Sequence, residues 1–288
     1  MSLTGRPGVA LGVVLAVLVL VIITFFVYRA EPQSHETVEV LPAFPTEGPF
    51  HYQIEYLGVH CGHMTLESRL EEFEGRPAYH VVMTACNTKF FNKIYRVDGQ
   101  IDSWVDAETM STLAYESDIT EKGRRKIRRY HIDYEKRVVR AEKYGKVKTV
   151  PFEGDFAIDP LAYVYRGRVL AGGPGSTFEL NLLTDRGVIV TGTQVGELKR
   201  FRTVDGKKEL LRVQPLTADG EMFSRKGEFI YWIGPDVKRK LYRLDFKLPF
   251  GRLHAKYTGP AEGPADRRTA AEKADPGPPV EEDPKTAS

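Results

Sequence analysis

The chain has 288 residues, with 41 Lys and Arg against 39 Asp and Glu, a formal net charge of +2. A hydrophobic content of 42% and an aromatic content of 11% are enough to bury a core, which excludes a wholly disordered chain. Two cysteines in that length exclude a disulfide-dense scaffold.

In chain order, Val9–Tyr28 comes first: VALGVVLAVLVLVIITFFVY, twenty residues without a charge. At about 1.5 Å per residue such a helix spans the ~30 Å hydrocarbon core of a bilayer. The run exits through Phe25, Phe26, Val27, Tyr28 and Arg29, with no small-residue cleavage pattern after it. It reads as an uncleaved anchor over residues 1–29; a long signal peptide is the alternative. After Arg29 the next Lys or Arg is Arg69, so the charge bias puts the N-terminus inside and the body outside. Residues 30–48, with prolines at 32, 42 and 45, read as a linker.

From Phe50 the pattern alternates with period two, the signature of half-buried strands. HYQIEYLG, HMTLESRL, PAYHVVMTA, KIYRV, QIDSWV, MSTLAYESDI, KIRRYHIDY and RVVRAEKY follow one another. Glu74-Gly75 and Glu135-Lys136 supply connections, and Asp98-Gly99 is either a hairpin turn or a bulge inside one strand. Asp159 at an N-cap position and Pro160 at the first helical position predict a helix over Pro160–Leu170, ended by Gly172-Gly173-Pro174. Strands resume with TFELNLL, GVIVTGTQV, ELKRFRTV, KKELLRVQP, GEFIYWIG, KLYRLDFKL and RLHAKYT, broken by a loop over Thr217–Ser224. The fold class expected over 49–259 is mainly β: a large curved antiparallel sheet or open half-barrel with one short helix. The remainder, 260–288, holds seven acids and four bases with almost no large apolar residue, and reads as a disordered tail.

YLGVHCGHMTLES, SWVD, IDPLAYVYRGR and WIGPD followed by LYRLDFKLPFGRLHAKY occur in that order between about Tyr52 and Tyr257. This series resembles the bacterial envelope proteins grouped as domain of unknown function 3108. The resemblance implies an exported, mostly antiparallel β protein, similar in architecture to half-barrel periplasmic carriers of lipoproteins and lipids. It implies no catalytic residue.

Candidate sites are few. If the second and third strands form a hairpin turning near Phe73–Gly75, facing residue numbers sum to about 147–149, and Cys61 with Cys86 sums to 147. In an oxidising compartment that predicts a disulfide, stabilising by about 3 kcal/mol in the chain-entropy treatment; two buried free thiols are the alternative. His60, His63 and His80 lie near these cysteines in sequence, but strand alternation points His60 away from Cys61 and His63 unless a bulge intervenes at Gly62. No metal or cofactor is therefore expected.

Glu121–Lys148 carries twelve bases and four acids. Arg124, Arg125, Arg128 and Arg129 are candidates for contact with an anionic surface, lipid headgroups or lipopolysaccharide phosphates rather than nucleic acid; a plain solvated hairpin is the alternative. Leu161, Val164 and Tyr165 share one side of the predicted helix and are candidates to line an apolar cavity; a closed core is the alternative. No G-x-S-x-G, H-E-x-x-H or phosphate-binding glycine loop is present, so no catalytic residue is assigned. The expected protein is a single-pass bacterial inner-membrane protein with its β body in the periplasm. It either holds a lipid or other apolar ligand or acts as an envelope scaffold without a cavity.

Overall fold

A computed structural model describes residues 45–261, apart from 94–95, 144, 185–186, 217–227 and 249–250. The apolar run Val9–Tyr28, most of the linker, the Thr217–Ser224 loop and nearly all of the tail lie outside the described residues. No helix among the described residues is long and apolar enough to cross a membrane.

Fourteen described strands form one sheet in which neighbours run antiparallel. They are β1 (Glu47–Tyr56), β2 (Val59–Phe73), β3 (Arg76–Asn87), β4 (Val97–Asp106), β5 (Thr112–Glu121), β6 (Arg124–Asp133), β7 (Val138–Lys143) and β8 (Lys146–Pro151), followed by β9 (Thr177–Thr184), β10 (Gly187–Thr203), β11 (Gly206–Leu216), β12 (Phe229–Ile233), β13 (Leu241–Leu248) and β14 (Gly251–Pro260). Their order is β8-β7-β6-β5-β4-β3-β2-β1-β14-β13-β12-β11-β10-β9. The first and last strands therefore pair at the centre, and two meanders run outward from them.

Several sequence expectations shift. Strand β1 starts at Glu47, inside the stretch read as linker. A single helical turn, α1 (Lys89–Asn92), precedes the segment read as a KIYRV strand, of which 94–95 lie outside the described residues, and Asp98-Gly99 lies within β4. GVIVTGTQV and ELKRFRTV are one seventeen-residue strand, β10, with a register shift between Val195 and Leu198.

The edges β8 and β9 are linked in sequence by a strap, 152–159, and by α2 (Pro160–Leu170), which has the predicted bounds. Ile158 forms a parallel bridge to Leu182, while the Ala157 carbonyl accepts from Thr112 N at 2.9 Å. The strap thus ties β5 of one meander to β9 of the other. A small cluster of Ile132, Val139, Phe152, Ala157 and Leu183 closes over it.

Helix α2 packs against β4 and β9, and none of its residues is exposed. Burial on every side, with Arg166 and Arg168 partnered inside the fold, marks a helix enclosed by the sheet. The sheet wraps around it. Asp159 caps it, accepting from Leu161 N at 2.8 Å and Ala162 N at 3.1 Å, and also receives Ser103 Oγ and Thr112 Oγ1 from β4 and β5. Gly167 leaves space that the Tyr231 hydroxyl occupies; a Cβ there would overlap it. Arg168, fully buried, is ion-paired with Glu47 of β1 and donates from Nε to the Arg239 carbonyl at 2.8 Å. The helix is therefore fixed at its N-terminus to β4 and β5 and near its C-terminus to β1.

Candidate functional site

The site follows from strand alternation applied to β4–β8. Ser103 Oγ reaches Asp159 Oδ2 at 2.6 Å, and Val105 belongs to the core around α2, so odd-numbered residues of β4 face the helix. Register carries that side outward without a shift from β5 to β8. Ile101 pairs with Ser117, Ser117 with Arg128, Arg128 with Lys143 and Lys143 with Lys146. The adjacent row runs Ser103, Tyr115, Tyr130, Ala141 and Lys148, with the two tyrosine rings 5.7 Å apart.

On this concave side β5–β8 carry six bases, Arg124, Lys126, Arg128, Lys143, Lys146 and Lys148, against one acid, Glu121. The formal charge is thus +5, and Glu121 is ion-paired with Lys126. The convex side of the same strands carries Arg125, Arg129 and Arg140 against Glu116, Asp118, Asp133 and Glu142, a formal −1. There Arg125 grips Asp118 with Nε and Nη2 at 2.8 and 2.6 Å. Arg129 donates to Glu116 from Nε at 3.1 Å and reaches Glu142 at 3.4 Å. Both guanidinium pKa values are raised by these carboxylates, Asp118 for Arg125 and Glu116 for Arg129.

The four arginines grouped in sequence are thus split by the fold. Arg124 and Arg128 face the concave side, and Arg125 and Arg129 face outward among acids. The concave basic rows are reachable: Arg128, Tyr130 and Lys143 are half-buried, and Lys146 and Lys148 are exposed. Followed inward, the Arg128 row continues through Ile101, Met83, Leu66 and Phe50. One transverse line therefore passes from the packed core at Leu66, through the partly buried Met83 and Ile101, to the bases, so the basic end adjoins apolar side chains as an anionic amphiphile would require.

Leu161, Val164 and Tyr165 are buried in a single core cluster that includes Tyr52, Leu66 and Val81 of one meander and Leu180, Val195 and Tyr231 of the other. They pack; on the concave side of β5–β8, by contrast, Arg124, Lys146 and Lys148 are exposed. Burial pushes the Tyr163 hydroxyl pKa up to about 12, against the opposing hydrogen bond with Thr193, and raises that of Tyr165 further. These hydroxyls stay protonated at any physiological pH.

The expected Cys61–Cys86 disulfide is not formed; both are free thiols. The β2–β3 register sums to 149, which sets His63, not Cys61, opposite Cys86. Cys61 falls where the β1–β2 register jumps between Ile54 and Glu55, and its thiol turns to the Ile54 carbonyl at 3.5 Å. Burial raises both thiol pKa values, so neither is a ready thiolate. The same irregularity brings His60 and His63 edge to face, ring centroids 4.5 Å apart. No group of three or more His, Cys, Asp or Glu among the described residues is placed to hold a metal ion.

Two networks escaped sequence reading. On β2–β4, His80 sits between Asp102, 3.0 Å from Nε2, and Glu71 and Arg69, 3.0 and 2.8 Å from Nδ1, with Trp104 stacked on its ring at 4.6 Å. On β12–β14, Arg243, Asp245 and His254 join Trp232, whose Nε1 donates to Asp245 at 2.8 Å. In both, the arginine and histidine are eleven residues apart on a hairpin. The members are scattered along the chain, and only register assembles them. Both cover an indole on the convex side. A separate open cleft of about 400 Å³ beside Arg76, Asp106 and Glu108 lies at the far ends of β3 and β4 from the Arg128 row.

The sheet, wrapped around one helix, defines a β-barrel-like protein. A structure of that description, the β-barrel-like protein of domain of unknown function DUF1849 from Brucella abortus, shares the fold with a TM-score of 0.51 at 13% identity, covering 73% of this chain and 94% of that one. A Bacteroides fragilis protein with a YmcC-like fold covers 76% of this chain and 99% of its own at 10% identity, but its TM-score of 0.30 is too low to support a shared fold. The chain belongs to the family of proteins of unknown function designated DUF3108, whose model matches residues 51–258. No curated protein matches the chain.

Proposed function

We propose that this is a membrane-anchored envelope protein whose β body stands on the periplasmic side of the bacterial inner membrane. There it binds an anionic amphiphile, a lipid or lipopolysaccharide with its phosphate toward Arg128 and Lys143. The observation that carries the reading is the transverse row that runs from Phe50, Leu66, Met83 and Ile101 to Arg128, Lys143 and Lys146. Anchoring and orientation rest on the apolar run Val9–Tyr28 and the scarcity of bases after Arg29. The protein is read as a binder and not an enzyme, with no cofactor and no nucleic-acid partner.

The packing of Leu161, Val164 and Tyr165 favours a second reading. With the helix flank filled, the protein is an envelope scaffold, and the concave bases dock an acidic partner protein. Native mass spectrometry of the full chain extracted in dodecyl maltoside separates the two. The first reading predicts a co-purified phosphate-bearing amphiphile, or one-to-one uptake of added dodecyl phosphate. No adduct and no uptake at millimolar dodecyl phosphate would leave the scaffold reading standing.

A further inference from the structure

We propose that the rim of the sheet where β1 turns into β2 docks on an anionic phospholipid bilayer, seating Leu57, Val59 and Phe90 among the headgroups with Lys89, Lys93 and Lys247 around them. This is a second membrane contact, made by the folded body. It rests on the anchored reading only for bringing that body close to a bilayer.

In an antiparallel meander successive connections fall on alternate rims. The β1–β2, β3–β4 and β13–β14 connections share one rim of this sheet, and the chain enters β1 at Glu47 on the other. On the shared rim they form a continuous group. Leu57 N–H donates to the Arg252 carbonyl at 3.5 Å, and Arg252 pairs with Lys247. Thr88 N–H, at the start of α1, donates to the Cys61 carbonyl at 2.9 Å. The apolar side chains here face outward: Leu57 and Phe90 are each 67% exposed and Val59 is 55% exposed. Phe91 stands edge to face with Phe90, ring centroids 5.5 Å apart. Leu57 and Gly58 both have positive φ, 50° and 81°. Asn-Gly or Asp-Gly is the ordinary choice at such a hairpin tip, so an exposed leucine there serves neither the turn nor the core.

Charge and reach point to a bilayer. The carboxylates nearest this rim are ion-paired: Glu55 with Lys256, Asp98 with Arg96, Glu121 with Lys126, and Glu228 with Arg212 and Arg252. Lys89, Lys93 and Lys247 are exposed and belong to none of these pairs. Apolar tips standing singly between lysines do not make the packed centre that a protein partner needs. A second copy of the chain would set like charges together. An anionic bilayer accommodates both features, with the tips at the headgroup boundary and the ammonium groups at phosphates. Residues 29–46, eighteen in number, separate the apolar run from β1. They extend up to about 60 Å, against roughly 33 Å for the ten residues of β1, so the rim opposite the chain's entry reaches the bilayer of the anchor.

The experiment is hydrogen exchange on the full chain in lipid nanodiscs, made of phosphatidylcholine alone or mixed with phosphatidylglycerol. In the mixed discs the amides of 57–59 and 89–93 should exchange about three- to tenfold more slowly than in the neutral ones, and 1 M salt should remove the difference. Residues 234–239 lie on the opposite rim with Val237, which is 91% exposed, and should exchange alike in both. Helix α1 buries none of its residues, so the variant K89Q/F90S/K93Q leaves the core intact and should lose most of the slowing. Equal exchange in the two lipids, equal slowing at 234–239, or slowing that the variant retains would overturn the proposal. If the chain stays with neither disc, the anchored reading fails, and the same exchange with vesicles of the two compositions decides the rim by itself.

Discussion

The two sides of β5–β8 are built from one run of sequence and have opposite electrostatic characters. Outward, Arg125 and Arg129 meet Asp118, Glu116 and Glu142, a closed set of ion pairs on a solvated surface. Inward, Arg128, Lys143, Lys146 and Lys148 line two rows beside Tyr115, Tyr130 and Ile101, a side to which β5–β8 themselves contribute one acid, Glu121. Strand alternation sorted the bases by parity, and cross-strand register set Arg125 and Arg129 beside carboxylates of the neighbouring strands. A run of twelve bases is thus not one patch: half of its meaning depends on strands β4 and β5, which lie outside the run.

Helix α2 packs on β9 of one meander and is tied to β4, β5 and β1 of the other, and releasing it should have the largest effect on the concave side. Arg168→Ala leaves the half-buried Glu47 without its partner and opens a gap beside Tyr165. Breaking a buried ion pair in this way costs about 3–5 kcal/mol. Urea unfolding of the body should register the loss, and a change below about 1 kcal/mol would mean that α2 is not held as described.

A smaller effect sharpens the convex half. Arg129→Gln removes an ion pair from a guanidinium that is nearly half exposed, and such surface pairs contribute no more than about 1 kcal/mol. Its unfolding midpoint should stay close to that of the wild type at physiological salt, and a large drop would show the convex pairs to be structural in their own right.

The smallest effect concerns pH and lies away from both rows. Burial, with His60 and His51 nearby, lowers the His63 pKa from 6.5. The fold therefore disfavours protonated His63. Its contribution is complete above the ordinary histidine value and is lost as pH falls through 6.5 to the lowered folded value. Thermal melts at pH 7.5 and 5.0 should show a decline that His63→Gln reduces; an equal decline in the variant would assign it to other groups.

Much of the fold was legible because its signals are local. Alternation marked most of the strands, Glu74-Gly75 marked a turn, and Asp159-Pro160 fixed the start of α2. Less of the site was legible, because it depends on register. The β6 sequence RRKIRRYHID shows two faces, but only pairing through Ser117 and Tyr115 to Ile101 and Ser103 says which one looks at the helix. The disulfide expectation failed for the same reason: a two-residue difference in register, with a bulge at Cys61, sets His63 opposite Cys86. Glu47 was hidden in a proline-rich segment, and its role appears only through Arg168, 121 residues further on.

On the proposed reading, binding belongs to the concave rows and not to the basic run as a whole. Isothermal titration of dodecyl phosphate into the full chain in dodecyl maltoside tests it with two variants of equal charge change. Arg128→Gln with Lys143→Gln removes two concave bases, and Arg125→Gln with Arg129→Gln removes two convex ones. At about 1 kcal/mol for each base near an anionic group, the concave pair should weaken binding about thirtyfold, while the convex pair leaves it within about twofold. Equal loss in both variants, or loss only in the convex pair, would contradict the account.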